Sequence, residues 1–176
     1  LLVQNDTGWH NLIKLVTKAH LEGYYYKPRI DKALLAEYHE GLIALSACLG
    51  GEIGRALMAD HFDEAKKIAQ GYEAIMGKGN YFLEIQKHPG IADSERIEPL
   101  LIKLAEETGI PLVATQDSHY LRPEEAEYQD VLLAVQTGNK LSDEGRMSMK
   151  IDDFSVISPE EAADKFSEVP DAVENT

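Results

Sequence analysis

Residues 110–125 read IPLVATQDSHYLRPEE. An apolar run from Ile110 to Thr115 passes into a polar exit, Gln116 to Arg122. Pro123-Glu124-Glu125 follows as the first turn of a helix, where proline costs little because its missing N–H has no helical partner in any case. This is a strand, a loop and a helix in succession, and the same order recurs upstream. Leu42-Ile43-Ala44-Leu45 is a compact buried-strand candidate that runs into Ser46-Ala47-Cys48, and Gly50-Gly51-Glu52 opens a helix through Met58. Tyr81 to Ile85 is a further strand, followed by a loop from Gln86 to Asp93 and a helix from Ser94 to Thr108 that Gly109 is placed to end. Repeated strand–helix units predict an α/β fold. Periodicity alone leaves an open sheet and part of a barrel as alternatives.

The rest of the chain fits the same scheme. Leu1 to Gln4 is a short apolar run, and Asn5 to Gly8 is a turn before a helix over Trp9 to His20. Its apolar residues Leu12, Ile13, Leu15, Val16 and Ala19 recur at helical spacing. Asp31 caps a short helix from Lys32 to Tyr38. Asp60 to Met76 is amphipathic, with Phe62, Ala65, Ile68, Ala69, Tyr72 and Ile75 on one face. The helix after Pro123 carries Val131, Leu132 and Val135. Thr137 to Val156 is polar and irregular apart from a short strand at Phe154 to Ile157, and Ser158-Pro159-Glu160-Glu161 forms a capping-box start.

A chain of 176 residues is one domain or most of one. The net charge of −14, from 31 acidic and 17 basic residues, repels nucleic acid at long range unless metal ions or local basic groups intervene. That counts against a free-standing DNA-binding module. The single cysteine, Cys48, excludes an internal disulfide and fits a reducing compartment. No run approaches the roughly 18 apolar residues of a membrane span, and no basic segment precedes an apolar one at the start. The expectation is a cytoplasmic protein with no membrane partner. Leu1-Leu2-Val3 reads as mid-strand and Glu174-Asn175-Thr176 as a helix cut short, so the chain reads as a segment of a longer one.

Chemistry in α/β proteins collects where strands end. Asp117 and His119, at i and i+2 on an extended segment, would point the same way and could share a zinc, manganese or iron ion. Equally, they could be loop residues that hydrogen-bond locally. Cys48 is either a small core residue or a thiolate ligand. Glu84 lies in a strand that otherwise reads as buried and needs a partner, with Arg29, Lys27 or a metal as candidates. His88 either contacts substrate or shapes its loop. Tyr24 to Arg29 mixes aromatic and basic side chains, as a stacking and phosphate-contact patch would, or packs its tyrosines on neighbouring helices. No residue is assigned as catalytic by spacing.

Several longer stretches carry a family likeness. WHNLIKLVTKAHLEGYYYKPRID (9–31), GLIALSACLGGEI (41–53), NYFLEIQKH (80–88) and PLVATQDSHYLRPEEAEYQDVLLAVQTG (111–138) occur in order and cover most of residues 5–140. Together they resemble the polymerase and histidinol phosphatase (PHP) domain of bacterial DNA polymerase III alpha subunits. The resemblance implies part of an irregular seven-stranded (β/α)7 barrel. Residues 1–145 would be the C-terminal portion of that domain and 146–176 a connection toward the polymerase core. It also implies Cys48, Asp117 and His119 as metal ligands, with Glu84 and His88 near the pocket; Lys27 or Arg29 is the expected phosphate contact. The family's opening H-x-H, a later histidine and an upstream glutamate are absent from this segment.

Divalent ions, zinc or manganese, are the expected cofactors of such a site, with magnesium serving a polymerase site outside the segment. DNA, deoxynucleotides and other replicase subunits are the expected partners of the full-length protein. The implied function is a segment of a replicative DNA-directed DNA polymerase whose PHP domain is a metal-dependent 3′–5′ exonuclease. The alternatives are an inactive domain that supports the polymerase and a proofreading partner, or a free-standing PHP phosphatase.

Overall fold

A computed structural model describes residues 1–176. Four strands, β1 (Leu2–Val3), β2 (Leu42–Leu45), β3 (Tyr81–Ile85) and β4 (Leu112–Ala114), form one sheet in the order β1-β2-β3-β4. β1 pairs antiparallel with β2, Leu2 opposite Ile43. β2 pairs parallel with β3, Ala44 opposite Tyr81. Leu83 N–H donates to Pro111 O at 2.9 Å and Thr115 N–H to Ile85 O at 3.1 Å. Both strands advance in the same direction between those two bonds, so β3 and β4 are parallel. The fold is mixed α/β, as the strand–helix order predicts. No helix is long and apolar enough to cross a membrane.

The chain forms two compact units, Leu1–Glu84 with Leu100–Leu112, and Ile85–Pro99 with Val113–Thr176. The first unit holds α1 (Asp6–Leu21), α2 (Lys32–Glu37), α3 (Glu52–Met58) and α4 (Phe62–Met76). The Asn5 side chain caps α1 by accepting from Gly8 N–H at 3.0 Å, so the helix begins three residues before the expected Trp9. Asp31 caps α2 through Leu34 N–H, as its position predicts. Leu15, Leu42, Ile53, Leu57, Met76, Leu83, Leu104 and Ile110 are the largest apolar residues of its core. One expectation fails on α1. Ile13 and Val16 are exposed, while Asn11 is buried and donates to Glu40 O at 3.0 Å. A polar side chain replaces an apolar one on the packed face because a backbone carbonyl there needs a donor.

α5 (Ala92–Thr108) runs through both units, and the division falls at Pro99, inside the helix. The second unit adds a 3-10 turn (Pro123–Glu125), α6 (Ala126–Thr137), α7 (Pro159–Lys165) and α8 (Pro170–Glu174). Its core includes Ile85, Ile97, Leu133, Phe154 and Phe166. The capping box expected at Ser158 and Glu161 is present. On α6 the apolar Val131, Leu132 and Val135 are exposed, and Asp130 is buried with Leu133 and Ala134. The reason lies across the loop. Arg146 grips Asp130 with two bonds, 2.7 and 2.6 Å, and Ser148 Oγ donates to it at 2.7 Å. A carboxylate so satisfied can be buried without a large penalty.

The same grip holds the Asp130 carboxyl well below its ordinary value of 3.8, chiefly through the Arg146 hydrogen bonds and then that of Ser148. A carboxyl depressed in the folded state stabilises fully above its unfolded value and loses that contribution as pH falls below it. Asp130→Asn should therefore free the 138–150 loop at neutral pH. Trypsin should cut after Arg146 or Lys150 on the order of tenfold faster, the scale of one lost charge-assisted bond. The difference between wild type and variant should shrink as pH drops below 3.8. Hydrogen exchange across the loop, which unlike proteolysis can be followed at that pH, checks the second part.

Candidate metal centre

β4 delivers the chain to Thr115, whose Oγ accepts from Gln86 Nε2 at 3.0 Å. Two residues later the backbone turns left-handed at Asp117, φ 57°. The segment is therefore not extended, as i, i+2 spacing would have it. The two side chains still converge, and the turn is what brings them together: Asp117 Oδ1 lies 3.4 Å from His119 Nε2, with both side chains partly exposed. A non-glycine residue persists in that conformation only where its surroundings hold it there.

The surroundings are residues 152–156, which run alongside the loop. His119 N–H donates to Phe154 O at 2.8 Å, and Val156 N–H to Tyr120 O at 3.1 Å. Gln116 Nε2 donates to Asp153 O at 3.2 Å and Ser118 Oγ to Ser155 O at 3.2 Å. Phe154 N–H donates to the Tyr120 hydroxyl at 3.0 Å. The strand expected over Phe154–Ile157 is reduced to a single parallel bridge, Tyr120 to Ser155. From α7, Lys165 Nζ donates to Gln116 Oε1 at 2.6 Å. Burial pushes the Lys165 ammonium below its usual range, against the pull of Asp152 and Asp153.

His88 lies in the same unit, against Phe154. It is 5% exposed, stacks on Phe154 at 4.6 Å, and neither ring nitrogen has a hydrogen-bond partner. Its Nδ1 is 3.9 Å from Asp152 Oδ2, too far for a hydrogen bond. Asp152 is pinned instead by Gly90 N–H at 2.9 Å and Asp153 N–H at 2.7 Å. Burial first, and then the nearby Lys165 charge, lower the pKa of His88 from its ordinary 6.5. His119 meets the edge of the same Phe154 ring at 5.9 Å. One phenyl ring thus orients two imidazoles. Sequence reasoning gave no site role to Asp152, Phe154 or Lys165, because each acts through contacts far along the chain.

The other expected site residues lie in the first unit. Cys48 is exposed and not in a disulfide. It sits on a tight loop where Ala47 is left-handed, φ 63°, and Gly51 N–H donates to Cys48 O at 2.9 Å. Glu84 is half-buried on β3, and its N–H donates to Ser46 Oγ at 2.9 Å. Lys27 and Arg29 are both exposed.

A carboxylate oxygen and an imidazole nitrogen on one braced loop suit zinc or manganese, and the unpartnered nitrogens of His88 add an imidazole donor in the same unit. The donors fit a divalent ion as part of a coordination sphere. No group of three or more histidine, cysteine, aspartate or glutamate side chains is gathered for a metal ion.

Comparison with known proteins adds a lineage. The PHP domain profile matches residues 1–88. DNA polymerase III subunit alpha of Borreliella burgdorferi is 43% identical over the whole chain, which spans 15% of that relative. The Treponema pallidum protein of the same name is 44% identical with the same coverage. The Thermus aquaticus one is 42% identical over 92% of the chain and 13% of its own length. The chain therefore spans about one seventh of the length of these relatives, and the likeness to the first two includes the Asp117–His119 loop.

Proposed function

Because the chain belongs to the PHP domain family, we propose that it is a segment of a replicative DNA polymerase III alpha subunit whose PHP site cleaves phosphodiesters from 3′ ends with divalent metal. Residues 1–145 are, in this reading, the C-terminal portion of an irregular seven-stranded PHP barrel, and 146–176 lead toward the polymerase core. The observation that carries the site is the approach of Asp117 and His119 to 3.4 Å on a loop fixed from behind. The identity of 43% across all 176 residues supports the parent. DNA and deoxynucleotides are the substrates of that parent, replicase subunits its partners, and the cytoplasm its location, with magnesium at the polymerase site.

Asp117 and His119 would hold the PHP ion, zinc or manganese; for Cys48 the support is family likeness alone, with no group of three such side chains gathered. A divalent ion there supplies Lewis-acid stabilisation of the phosphoryl oxygens and a more acidic bound water. The protein's own part is orientation. Phe154 fixes the His119 ring and covers His88. The Gln116 amide, held by Lys165 and Asp153, sets where Asp117 begins its turn. Such supporting contacts hold ligands at the angle an ion requires.

The test is cleavage of a 3′-labelled single strand by the full parent polypeptide, stripped with chelator and then reloaded. Cleavage should vanish on stripping and return with manganese or zinc. No cleavage with any divalent metal would leave the domain a structural support for the polymerase.

A further inference from the structure

Residues 23–29 form a small closed loop. Gly23 N–H donates to Lys18 O at 3.0 Å as α1 ends. A Cβ on Gly23 would lie 2.0 Å from Arg29 O, so the two ends of the loop touch and only glycine fits. Within it, Tyr25 N–H donates to Lys27 O at 3.1 Å across an antiparallel bridge, and Tyr26 at the tip is left-handed, φ 58°. That backbone is uncommon for a bulky aromatic.

The loop displays its side chains instead of burying them. Tyr24, Tyr25 and Tyr26 are 63, 65 and 80% exposed, against the alternative that they pack on neighbouring helices. The Tyr25 and Tyr26 rings meet edge to face at 4.6 Å, and the Arg29 guanidinium lies 5.4 Å from the Tyr25 ring centre. Neither Lys27 nor Arg29 has an ion-pair partner, in a chain with 31 acidic residues. The nearest carboxylates in sequence are committed elsewhere: Glu22 pairs with Lys18 at 3.3 Å, and Asp31 caps α2. Two unneutralised cations beside three exposed tyrosines match a chain of negative charges carrying flat rings.

We propose that residues 24–29 are a docking platform for a single strand of nucleic acid. Bases stack on the tyrosines, and backbone phosphates meet Lys27 and Arg29. A duplex hides its base faces and cannot use the tyrosines. The net charge of −14 repels phosphate at long range, so a strand needs local cations such as Lys27 and Arg29 where it approaches. The inference deepens the polymerase reading and rests on it for the source of the strand. It does not depend on a metal at Asp117 and His119.

The experiment uses the full parent polypeptide in EDTA with an oligothymidylate carrying 5-iododeoxyuridine. Photocrosslinks mapped to residues 24–26, measured against oligonucleotide concentration, report the affinity of this loop alone. Crosslinks at these tyrosines are expected. Tyr26→Ala should weaken the remaining crosslinks at Tyr24 and Tyr25 by about tenfold, the scale of one stacked base. Lys27→Gln with Arg29→Gln should reduce the slope of log affinity against log salt by about 1.4, two phosphate contacts' worth. Crosslinks that fall elsewhere overturn the proposal, as does a slope unchanged in the charge variant. So does equal competition by duplex DNA, or loss of a protein subunit from the charge variant with oligonucleotide binding intact. Because EDTA removes metal, failure here is distinct from failure of the cleavage reading.

Discussion

Gly8→Ala is expected to destabilise the first unit by about 3 kcal/mol, the upper part of the range for forcing atoms into a packed site. A Cβ on Gly8 would lie 1.8 Å from Gly41 O and 2.5 Å from its carbonyl carbon. The obstacle is backbone, so no rotamer change relieves it. That carbonyl also accepts from Gln4 N–H at 2.9 Å, next to the β1–β2 pairing. Gly41 cannot retreat easily, because it is left-handed (φ 74°) and packs on Asn5 and Gly8. The clash should thus open the pairing of Leu2 with Ile43. Amide exchange at Gln4 and Ile43 would show this as lost protection, and unchanged protection would contradict the packing. Gly71→Ala is the control: it has open space around its Cβ position and lies within α4. It should gain about 0.5–1 kcal/mol from helix propensity.

Asp117→Asn is expected to lower metal affinity by at least about 100-fold, and 3′–5′ cleavage with it. Removing a mere hydrogen-bond partner of a ligand costs 10–100-fold, and a charged oxygen ligand counts for more than its support. Asparagine keeps the shape and the tolerance for a left-handed backbone, so the loop should persist. Lys165→Met makes the graded comparison. It removes the 2.6 Å bond to Gln116 without touching Asp117 or His119. Affinity should fall about tenfold, with cleavage restored at higher metal concentration. Equal behaviour of the two variants in a metal titration of cleavage would deny Asp117 the role of ligand.

Much of the fold was legible because it is local. Leu42–Leu45 and Tyr81–Ile85 are strands at the expected residues. The caps at Asp31 and Ser158 work as their side chains dictate. What was not legible depends on residues far apart in sequence. α6 buries Asp130 because Arg146 and Ser148 lie sixteen and eighteen positions on, which no helical period encodes. The short strand expected at Phe154–Ile157 is a single bridge, because residues 152–156 pair with Tyr120 and Gln116 through single bonds and not through a ladder. At the site, Asp117 and His119 are visible as residue types, but strand alternation does not bring them together; a left-handed turn does. The stretch QKHPG marks His88 as a loop histidine and carries no sign of its burial against Phe154.

The direct measure of the account is the metal content of the purified parent polypeptide beside its Asp117→Asn, His119→Gln double variant, loaded with zinc or manganese and dialysed. If the loop after β4 holds an ion, the variant should retain at least one equivalent fewer while remaining folded. Identical stoichiometry and identical affinity in the two proteins would contradict it.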